Sequence, residues 1–530
     1  MAYFIVIYVI CAIYMTLNFK YDLQMFQQNS YRLDRYWKWL RPNIGSAWRL
    51  VDVACLFLLM APTLLDFRLS LFLIALVSLA KIFMILRRKS KKPLVMTRRV
   101  WRLYGLTALM SLGGAVAIAI CTFGKYVGIY SGASVTVGFM MAVSIFSWAV
   151  MMFAHLLLIP VEKSIQRGYI NDAKRILRSM PDLRVVGITG SYGKTSTKHY
   201  LTRILSEQFD VLMTPGSFNT PMGVVRTIRE YMKPYNQIFV CEMGAKQRGD
   251  IKEICDIVNP EMGIVTAVGP MHLESFKTLD NVCATKFELV DALPADGCAV
   301  INNDFAPCAA RGVTDVRALR YGVTDTAGCD YVAMDVRYTP DGTSFVVKGP
   351  DGLTLPLETR LLGECNVSDI LAAVVIALRL GVPEEKIRYA VATIDQVEHR
   401  LSIKQTPGGV TIIDDAFNSN PAGSKMAVDV LAHFKEGKRI IVTPGMIELG
   451  SEQYNLNKAF GKYAGENLDV IIVVGEYNRD AIVSGVRESD FDQKNLHVVG
   501  SFNEAQQVLG KLLAKGDTVL YENDLPDTFK

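Results

Sequence analysis

Long apolar runs separated by short polar segments dominate the first 160 residues. About five runs approach the roughly 20 residues that a helix needs to cross a bilayer; they cover residues 3–19, 50–66, 69–86, 103–123 and 135–159. The pattern predicts a multi-pass transmembrane region of about five helices over residues 1–160. Because neither a basic segment nor a small-residue cleavage site flanks the first run, we expect an uncleaved anchor.

Basic residues are concentrated in two of the polar connections. One connection contains Lys20, Arg32, Arg35, Lys38, Arg41 and Arg49, and the other contains Arg87, Arg88, Lys89, Lys91, Lys92, Arg98, Arg99 and Arg102. The positive-inside rule places both connections in the cytosol, the N-terminus outside and everything after Pro160 inside. Asp52 and Lys81 fall near the ends of their runs, which predicts snorkelling toward the headgroups.

After residue 160 the pattern changes to strand-like and helix-like segments in alternation. An amphipathic connector is predicted over 161–181, followed by a central domain over 182–397 and a C-terminal domain over 398–530. Such alternation is typical of doubly wound α/β folds with a mostly parallel sheet. Turns rich in Pro, Asp and Gly predict a strand meander over about 313–359. The fold class is therefore a helical transmembrane bundle followed by a P-loop α/β domain and a Rossmann-like α/β domain.

The amino-acid composition indicates the cellular compartment of the protein. The chain has 530 residues, a formal net charge of +5 and ten cysteines, none of them in a Cys-x-x-Cys pair. Scattered cysteines of this kind argue for reduced thiols, and against a disulfide scaffold or a zinc site. We expect a protein of the cell membrane with its catalytic domains in the cytoplasm and no nucleic-acid partner.

A glycine loop between a predicted strand and a predicted helix carries the clearest chemistry. The loop and helix start contain Gly190, Ser191, Gly193, Lys194, Thr195 and Ser196. Backbone N–H groups at such a turn cradle phosphates, the lysine reaches the terminal phosphates and the threonine hydroxyl binds Mg²⁺. The loop is shorter than the general P-loop pattern, because it closes on Gly190. These residues predict ATP binding.

Further motifs follow the loop in order. They are Asn219-Thr-Pro-Met-Gly, Glu242-Met-Gly-Ala, His272-Leu-Glu-Ser-Phe, Lys286-Phe-Glu, Asn302-Asn-Asp, Gly363-Glu-Cys-Asn366-Val-Ser-Asp369, His399-Arg400-Leu and Asp414-Asp415-Ala-Phe-Asn418-Ser-Asn-Pro. The series, over roughly residues 182–480, resembles the Mur ligase family of ATP-dependent amide ligases. Three of its runs are most similar to the branch that adds D-alanyl-D-alanine to a UDP-MurNAc-tripeptide.

The resemblance implies a role for each motif residue. Thr195 and Glu242 hold one Mg²⁺, and His272 with a carbamylated Lys286 holds a second. Arg400 neutralises the γ-phosphate as the domains close, and Asp415 contacts the nucleotide. Asn302 reads adenine, and Asn219 and Asn418 position phosphate or substrate. Lys194, His272, Lys286 and Arg400 are then the catalytic set, because two anions must be brought together before an acyl phosphate can form.

The N-terminal region of the chain differs from that of the family. Membrane helices stand in place of the soluble domain that grips the UDP sugar. We therefore expect the acceptor to be a small-molecule or lipid-linked envelope precursor, its partner to be an amino-acid or peptide amine, and membrane lipids to be further partners. Arg32, Arg35, Arg87 or Arg88 are the residues expected near lipid phosphates.

Three other functions stay open from the residues alone. One is a ligase that extends a polyamide, of the poly-γ-glutamate, cyanophycin or folyl-polyglutamate type. Another is a membrane transporter or sensor driven by a P-loop ATPase, although no ABC-type signature is present. The last is an inactive scaffold, against which the intact Lys194, Glu242, His272 and Lys286 argue.

Overall fold

The computed structural model describes residues 2–45, 47–60, 66–87, 92–125, 129–339, 342–417 and 419–524. The chain divides into two compact units, Met1–Arg167 and Gly168–Lys530. The predicted order, a helical region followed by α/β structure, is confirmed.

The first unit is helical throughout its described part. Its helices are α1 Ala2–Gln28, α2 Leu33–Asn43, α3 Ala47–Met60, α4 Phe67–Arg87, α5 Arg98–Lys125, α6 Ile129–Ile145 and α7 Ser147–Arg178, the last of which continues into the second unit. Four segments of the described chain are long and apolar enough to cross a membrane: Tyr3–Gln28, Arg68–Arg87, Arg98–Thr122 and Ser147–Arg178. A shorter apolar helix covers Gly132–Ile145.

The prediction of a single span over 135–159 is wrong. This run is divided at Phe146 between α6 and α7. Two polar side chains of α1 meet the division: Asn18 Nδ2 donates to the Ser144 carbonyl at 2.9 Å, and Asp22 accepts from the Ser147 hydroxyl. The Asn18 bond satisfies the Ser144 carbonyl at the end of α6, so the helix can end here without leaving this buried polar group unpaired.

The prediction of snorkelling at Asp52 and Lys81 is also wrong. Both residues are buried, and Lys81 Nζ lies 2.7 Å from Asp52 Oδ1. The Tyr14 hydroxyl donates to the other Asp52 oxygen at 2.7 Å. Because each charge finds an opposite charge on a neighbouring helix, neither side chain has to reach for water.

The second unit contains two mixed sheets. The strands of the first are β1 Arg184–Thr189, β2 Val211–Met213, β3 Ile238–Glu242, β4 Met262–Val265, β5 Cys298–Asn302, β6 Arg317–Gly322, β7 Tyr331–Thr339, β8 Gly342–Lys348 and β9 Thr354–Thr359. Their order is β2-β3-β1-β4-β5-β6-β7-β8-β9. Strands β1 to β7 pair in parallel, and β8 and β9 add an antiparallel edge where the meander was predicted.

The strands of the second sheet are β10 Ser402–Gln405, β11 Thr411–Asp415, β12 Arg439–Thr443, β13 Val470–Val474, β14 Leu496–Val499 and β15 Thr518–Glu522. Their order is β10-β11-β15-β12-β13-β14, and only the β10–β11 pair is antiparallel. We call residues 182–397 lobe 1 and residues 398–524 lobe 2.

Helices flank both sheets. In lobe 1 they are α8 Lys194–Leu205, α9 Pro221–Tyr231, α10 Asp250–Val258, α11 Leu273–Phe276, α12 Leu279–Asp291, α13 Ala306–Ala309, α14 Glu364–Arg379 and α15 Glu384–Ala392; in lobe 2 they are α16 Pro421–Ala432, α17 Gln453–Asn467, α18 Arg479–Arg487 and α19 Phe502–Leu512. Helix α14 is the most deeply buried, with an unbroken apolar run from Ile370 to Ala377 in the main core of lobe 1. In α/β folds, ligands bind at the edge of the sheet where the carboxyl ends of the parallel strands lead into the following helices.

The two edges of the first sheet are short or interrupted. Edge strand β2 has three residues. Edge strand β9 carries Pro356, which has no N–H to offer a further strand, and Arg388 of α15 donates to the Pro356 carbonyl at 3.4 Å.

Candidate active site

The glycine loop joins the end of β1 to the start of α8, as predicted. Gly193 is the residue before the helix and has φ of 77°, a conformation that favours glycine. A Cβ atom at Gly193 would meet the Asp369 carboxylate, and one at Gly190 would meet the Thr266 hydroxyl. The loop is therefore packed so closely by α14 and by the end of β4 that both glycines are sterically required.

Lys194 is folded back over this loop. Its ammonium donates to the carbonyls of Gly190 at 2.7 Å and Ser191 at 3.2 Å. Burial lowers the pKa of Lys194 to about 8, with Glu242 opposing and Arg400 adding to the shift. An ammonium group bonds a charged phosphate more strongly than a neutral carbonyl, so Lys194 can exchange these two partners for a phosphate.

The other polar residues of the loop have structural partners. The Ser191 hydroxyl donates to the Gly269 carbonyl and accepts from the Gly269 N–H, each at 3.1 Å. Ser196 is buried one turn into α8. These bonds tie the loop to the segment after β4, so its backbone is fixed before any ligand arrives.

Glu242 is the centre of the polar cluster beside the loop. It ends β3 and is buried, with Thr195 Oγ1 3.3 Å from both of its carboxylate oxygens. Asn219 Nδ2 donates to Oε1 at 2.9 Å, and Lys198 Nζ lies 3.0 Å from Oε2. Burial alone raises the pKa of Glu242, but the charges of Lys198 and Lys194 outweigh it and hold the pKa below its usual range. The carboxylate is therefore charged and ready for a cation.

Lys198 was missed by the sequence reasoning. Its side chain is fully buried, and its ammonium also donates to the Gly216 carbonyl at 2.7 Å. The available signal was spacing, because a residue four positions after Lys194 lies on the same face of α8. Asp369 was missed as well: it accepts from the Thr197 hydroxyl at 2.9 Å, and burial raises its pKa to about 8.

His272 lies where lobe 1 meets lobe 2. Its Nδ1 is hydrogen-bonded to Glu448, a residue of the loop after β12. Burial lowers the pKa of His272, and Glu448 opposes this shift. A cavity of about 10 Å³ next to this pair is lined by residues of both lobes, among them Met271 and Asn420.

Lys286 projects from α12 into the interior and is 3% exposed. In the part of the chain that the structure describes, no hydrogen-bond or ion-pair partner of its ammonium is found. Burial lowers its pKa well below the usual value, and the charge of Lys194 adds to the shift. Such an environment favours the neutral amine, which is the nucleophilic form of a lysine.

Arg400 and Asp415 reach the cluster from lobe 2. The Arg400 guanidinium lies 4.4 Å from the centre of the Phe417 ring, and its charge acts on both Lys194 and Asp369. Burial and the neighbouring Glu522 together raise the pKa of Asp415 to about 7, against the opposing charge of Arg400. The cations Lys194 and Arg400, one from each lobe, thus lie close enough for their charges to interact, and binding of a polyphosphate requires such positive charge.

Two known domain families match the chain in this region. The Mur ligase middle domain matches residues 188–377, and the Mur ligase glutamate ligase domain matches residues 399–521. The UDP-N-acetylmuramoyl-tripeptide–D-alanyl-D-alanine ligase of Escherichia coli is 30% identical over 345 residues, which cover 64% of this chain and 75% of that enzyme. This chain belongs to the Mur ligase family.

Solved structures agree with that assignment. MurF from Acinetobacter baumannii superimposes on this Mur ligase with a TM-score of 0.62, 26% identity, and coverage of 68% of this chain and 77% of that one. MurF from Thermotoga maritima in complex with ADP gives a TM-score of 0.60 and 27% identity, covering 68% of this chain and 80% of that one. The predicted family, and with it the predicted ATP-dependent amide-forming activity, is confirmed.

Mur ligases use ATP and Mg²⁺, and the donor set here fits a metal in part. Thr195 and Glu242 offer hydroxyl and carboxylate oxygens, which Mg²⁺ prefers. Among the described residues no three His, Cys, Asp or Glu side chains converge into a protein-only metal site. Mg²⁺ sites in proteins usually contain only one or two carboxylates, with water and substrate phosphates as the other ligands.

Two remaining predictions stay predictions. Asn302 is buried, and its amide nitrogen donates to the Thr266 carbonyl at 2.8 Å and to Ser368 at 3.1 Å while its oxygen accepts from Asp304 N. This network favours a structural part for Asn302 in joining β4, β5 and α14. Asn418 lies outside the described residues.

Proposed function

We propose that this Mur ligase joins an amine to a peptidoglycan-type precursor, through an acyl phosphate, at the cytoplasmic face of the cell membrane. The observation that carries the proposal is the Thr195–Glu242–Asn219 cluster beside the Lys194 loop, in a chain similar to the enzyme that adds D-alanyl-D-alanine in E. coli. The proposal takes residues 182–397 as the ATP-binding domain and residues 398–530 as the closing domain.

ATP binding falls to the loop and its neighbours. Backbone amides from Gly190 to Ser196 cradle the phosphates, and Lys194 moves from the loop carbonyls to the terminal phosphate. Arg400 and Asp415 complete the nucleotide site from lobe 2. Because the anionic carboxylate of the precursor must approach an anionic phosphate, this positive charge lowers the barrier to acyl-phosphate formation.

Membership of the Mur ligase family implies two metal positions. Thr195 and Glu242 would hold one Mg²⁺. His272 and Lys286 would hold the second: burial favours the neutral amine of Lys286, and a neutral amine that adds CO₂ loses a proton and becomes a carbamate, whose oxygens can bind a metal. Each ion would supply positive charge between the two anions.

The amine then displaces phosphate from the acyl phosphate. A C–N bond forms, the C–O bond to phosphate breaks, and the proton of the amine leaves to solvent or to a nearby carboxylate. Asn219 and Asn418 are the residues we assign to positioning the substrate. Closure of the lobes excludes water, which would otherwise hydrolyse the activated acid.

The test is amine-dependent ADP release by the full chain in lipid nanodiscs. With UDP-MurNAc-tripeptide and D-alanyl-D-alanine, we expect ADP and one new amide, identified by mass. Lys194→Ala should reduce turnover by about 100-fold or more, as loss of one key electrostatic contact does. The matched control, Lys252→Ala, removes an exposed lysine on α10 and should leave turnover unchanged.

Other outcomes support other functions. Repeated addition of one amino acid would favour a polyamide ligase, and ATP hydrolysis that needs no amine would favour a membrane ATPase. Normal turnover in Lys194→Ala would overturn the site assignment. The membrane-face part is tested with a polyprenyl-linked precursor, because equal or faster turnover of the UDP-linked form contradicts lipid presentation.

Carbamylation of Lys286 has its own test. Removal of CO₂ from the buffer should lower turnover and added bicarbonate should restore it. Lys286→Ala should be slow under both conditions, and bicarbonate-independent turnover of the wild type would contradict the modification.

A further inference from the structure

Glu448 is held in a fixed position by the loop that carries it. The loop after β12 has positive φ at Gly445, Glu448 and Gly450. Its backbone is bonded by three amide side chains, two from α17 and one from the residue before α18: Asn457 and Asn478 donate to the Met446 carbonyl at 3.1 and 2.9 Å, and Gln453 accepts from Leu449 N at 3.1 Å. A glutamate with φ of 63° costs conformational energy, which the surrounding bonds supply.

This loop presents the Glu448 carboxylate to lobe 1. The carboxylate meets His272 Nδ1, and the Glu448 carbonyl accepts from Glu274 N at 3.3 Å. His272 also has positive φ, 52°, as the residue before the short helix α11. Two residues in an uncommon backbone conformation, one from each lobe, therefore meet side chain to side chain.

The contact determines which nitrogen of His272 is left to bind a ligand. When a carboxylate accepts from Nδ1–H, the imidazole keeps its free electron pair on Nε2 and its orientation is fixed. Within the described residues Nε2 has no hydrogen-bond partner. The small cavity lined by Met271, His272 and Glu448 lies beside this pair.

We propose that Glu448 is the positioning residue for His272, and that it makes the second metal position competent only when the lobes are together. The inference rests on the proposed function, which assigns His272 to that metal. Glu448 reaches the ion through the imidazole, so it acts on metal affinity rather than on the reacting atoms. Closure of the lobes therefore changes the metal affinity of this position directly.

The experiment measures metal binding rather than turnover. Mn²⁺ is titrated into the full chain in nanodiscs, with a non-hydrolysable ATP analogue and bicarbonate, and free Mn²⁺ is followed by electron paramagnetic resonance. The wild type should bind two ions. Glu448→Ala should weaken one ion by about 10- to 100-fold, the usual effect of losing a hydrogen bond that orients a metal-binding histidine, and should leave the other ion unchanged.

Two further variants separate charge from shape. Glu448→Gln keeps the side-chain volume but is neutral, so its affinity should fall between those of the wild type and Glu448→Ala. Glu452→Ala removes a nearby glutamate of lobe 2 whose carboxylate accepts, among the residues that the structure describes, from Asn455 alone, and it should bind both ions as the wild type does.

The outcomes distinguish this inference from the proposed function. Two ions bound with wild-type affinity in Glu448→Ala would overturn the role of Glu448 and leave the metal assignment intact. Only one ion bound by the wild type would overturn both. Wild-type affinity in Glu448→Gln would support positioning by the hydrogen bond alone, because the glutamine oxygen can still accept from Nδ1–H, whereas affinity as weak as in Glu448→Ala would overturn the inference.

Discussion

Lys198 and Glu242 form the most fully buried ion pair of the catalytic unit. The exposed fractions of the two side chains are 0% and 2%, so water contributes almost nothing to stabilising either charge. The pair holds Glu242 ionised beside the glycine loop, and it spaces α8 from the end of β3. Lys198 therefore keeps Glu242 ionised and also helps to position α8 beside β3.

Lys198→Met should be costly for this reason. Removing one partner of a buried pair typically costs about 3–5 kcal/mol, because the remaining charge is left uncompensated. The unfolding temperature should fall, and the Mg²⁺ concentration needed for half-maximal ADP release should rise. Lys252→Met, which breaks an exposed pair with Asp256, should change neither. Unchanged Mg²⁺ dependence in a folded Lys198→Met would contradict this account.

Asp369 makes stability depend on pH. Its folded pKa is raised to about 8 by burial, whereas an unfolded aspartate titrates near pH 4. Between these values the folded chain holds a proton that the unfolded chain has lost, so stability falls as pH rises. Asp369→Asn should flatten the decline in unfolding temperature between about pH 5 and pH 8, relative to wild type and to the surface variant Asp256→Asn. An equally steep decline in Asp369→Asn would show that other groups cause it.

The site was predictable where it depends on local sequence. Gly190, Lys194 and Thr195 lie within one strand–loop–helix motif, and Glu242 ends a predicted strand, so pattern alone brought them together. Lys198 and Glu448 were not found, because one looks like a surface helix lysine and the other meets His272 only through the packing of two lobes. Glu522 was not assigned to the site either: it ends β15, is buried, and is bonded by the hydroxyls of Ser419, Ser424 and Thr443, all of which are distant from it in the sequence.

At the scale of helices, contacts of buried charged side chains join neighbouring helices of the first unit. Asp22 of α1 accepts from Tyr36 of α2 at 3.0 Å and from Arg49 of α3 at 3.1 Å. The Asp52–Lys81 pair joins α3 to α4, with Tyr14 of α1 as a third member. Apolar helices in lipid gain little from hydrophobic burial against each other, so such polar contacts set which helices associate.

The Asp52–Lys81 pair provides a test of that view. Lys81→Met should destabilise the detergent-solubilised chain strongly, whereas Asp52→Asn combined with Lys81→Met should recover much of the loss. Thermal unfolding followed by size-exclusion chromatography measures both. A double variant as unstable as Lys81→Met would indicate that Lys81 acts through some contact other than Asp52.

Hydropathy predicted the apolar runs but not their division into helices. A sliding average cannot detect the break at Phe146, since the residues on both sides are apolar and the cause lies in Asn18 and Asp22 of another helix. In the second unit the helices and strands were easier to predict, because buried strands and amphipathic helices have different periods.

At the scale of the whole molecule, the proposed topology has a direct test. If the basic connections are cytosolic, trypsin added to right-side-out vesicles should leave the 168–530 unit intact, and trypsin added to inverted vesicles should digest it. A periplasmic or secreted protein of known location serves as the integrity control for each preparation. Cleavage of the catalytic unit from the outside would overturn the orientation.

The short strand β2 and the proline of β9, at the two edges of the first sheet, affect how the protein behaves at high density in a membrane. Membrane anchoring, as proposed, confines copies of this enzyme to two dimensions and so raises the rate at which their sheets collide. A three-residue strand at one margin and a proline at the other leave no row of free amides for a neighbour to extend. High surface density should therefore be tolerated without fibre formation, and replacing Pro356 would remove that protection.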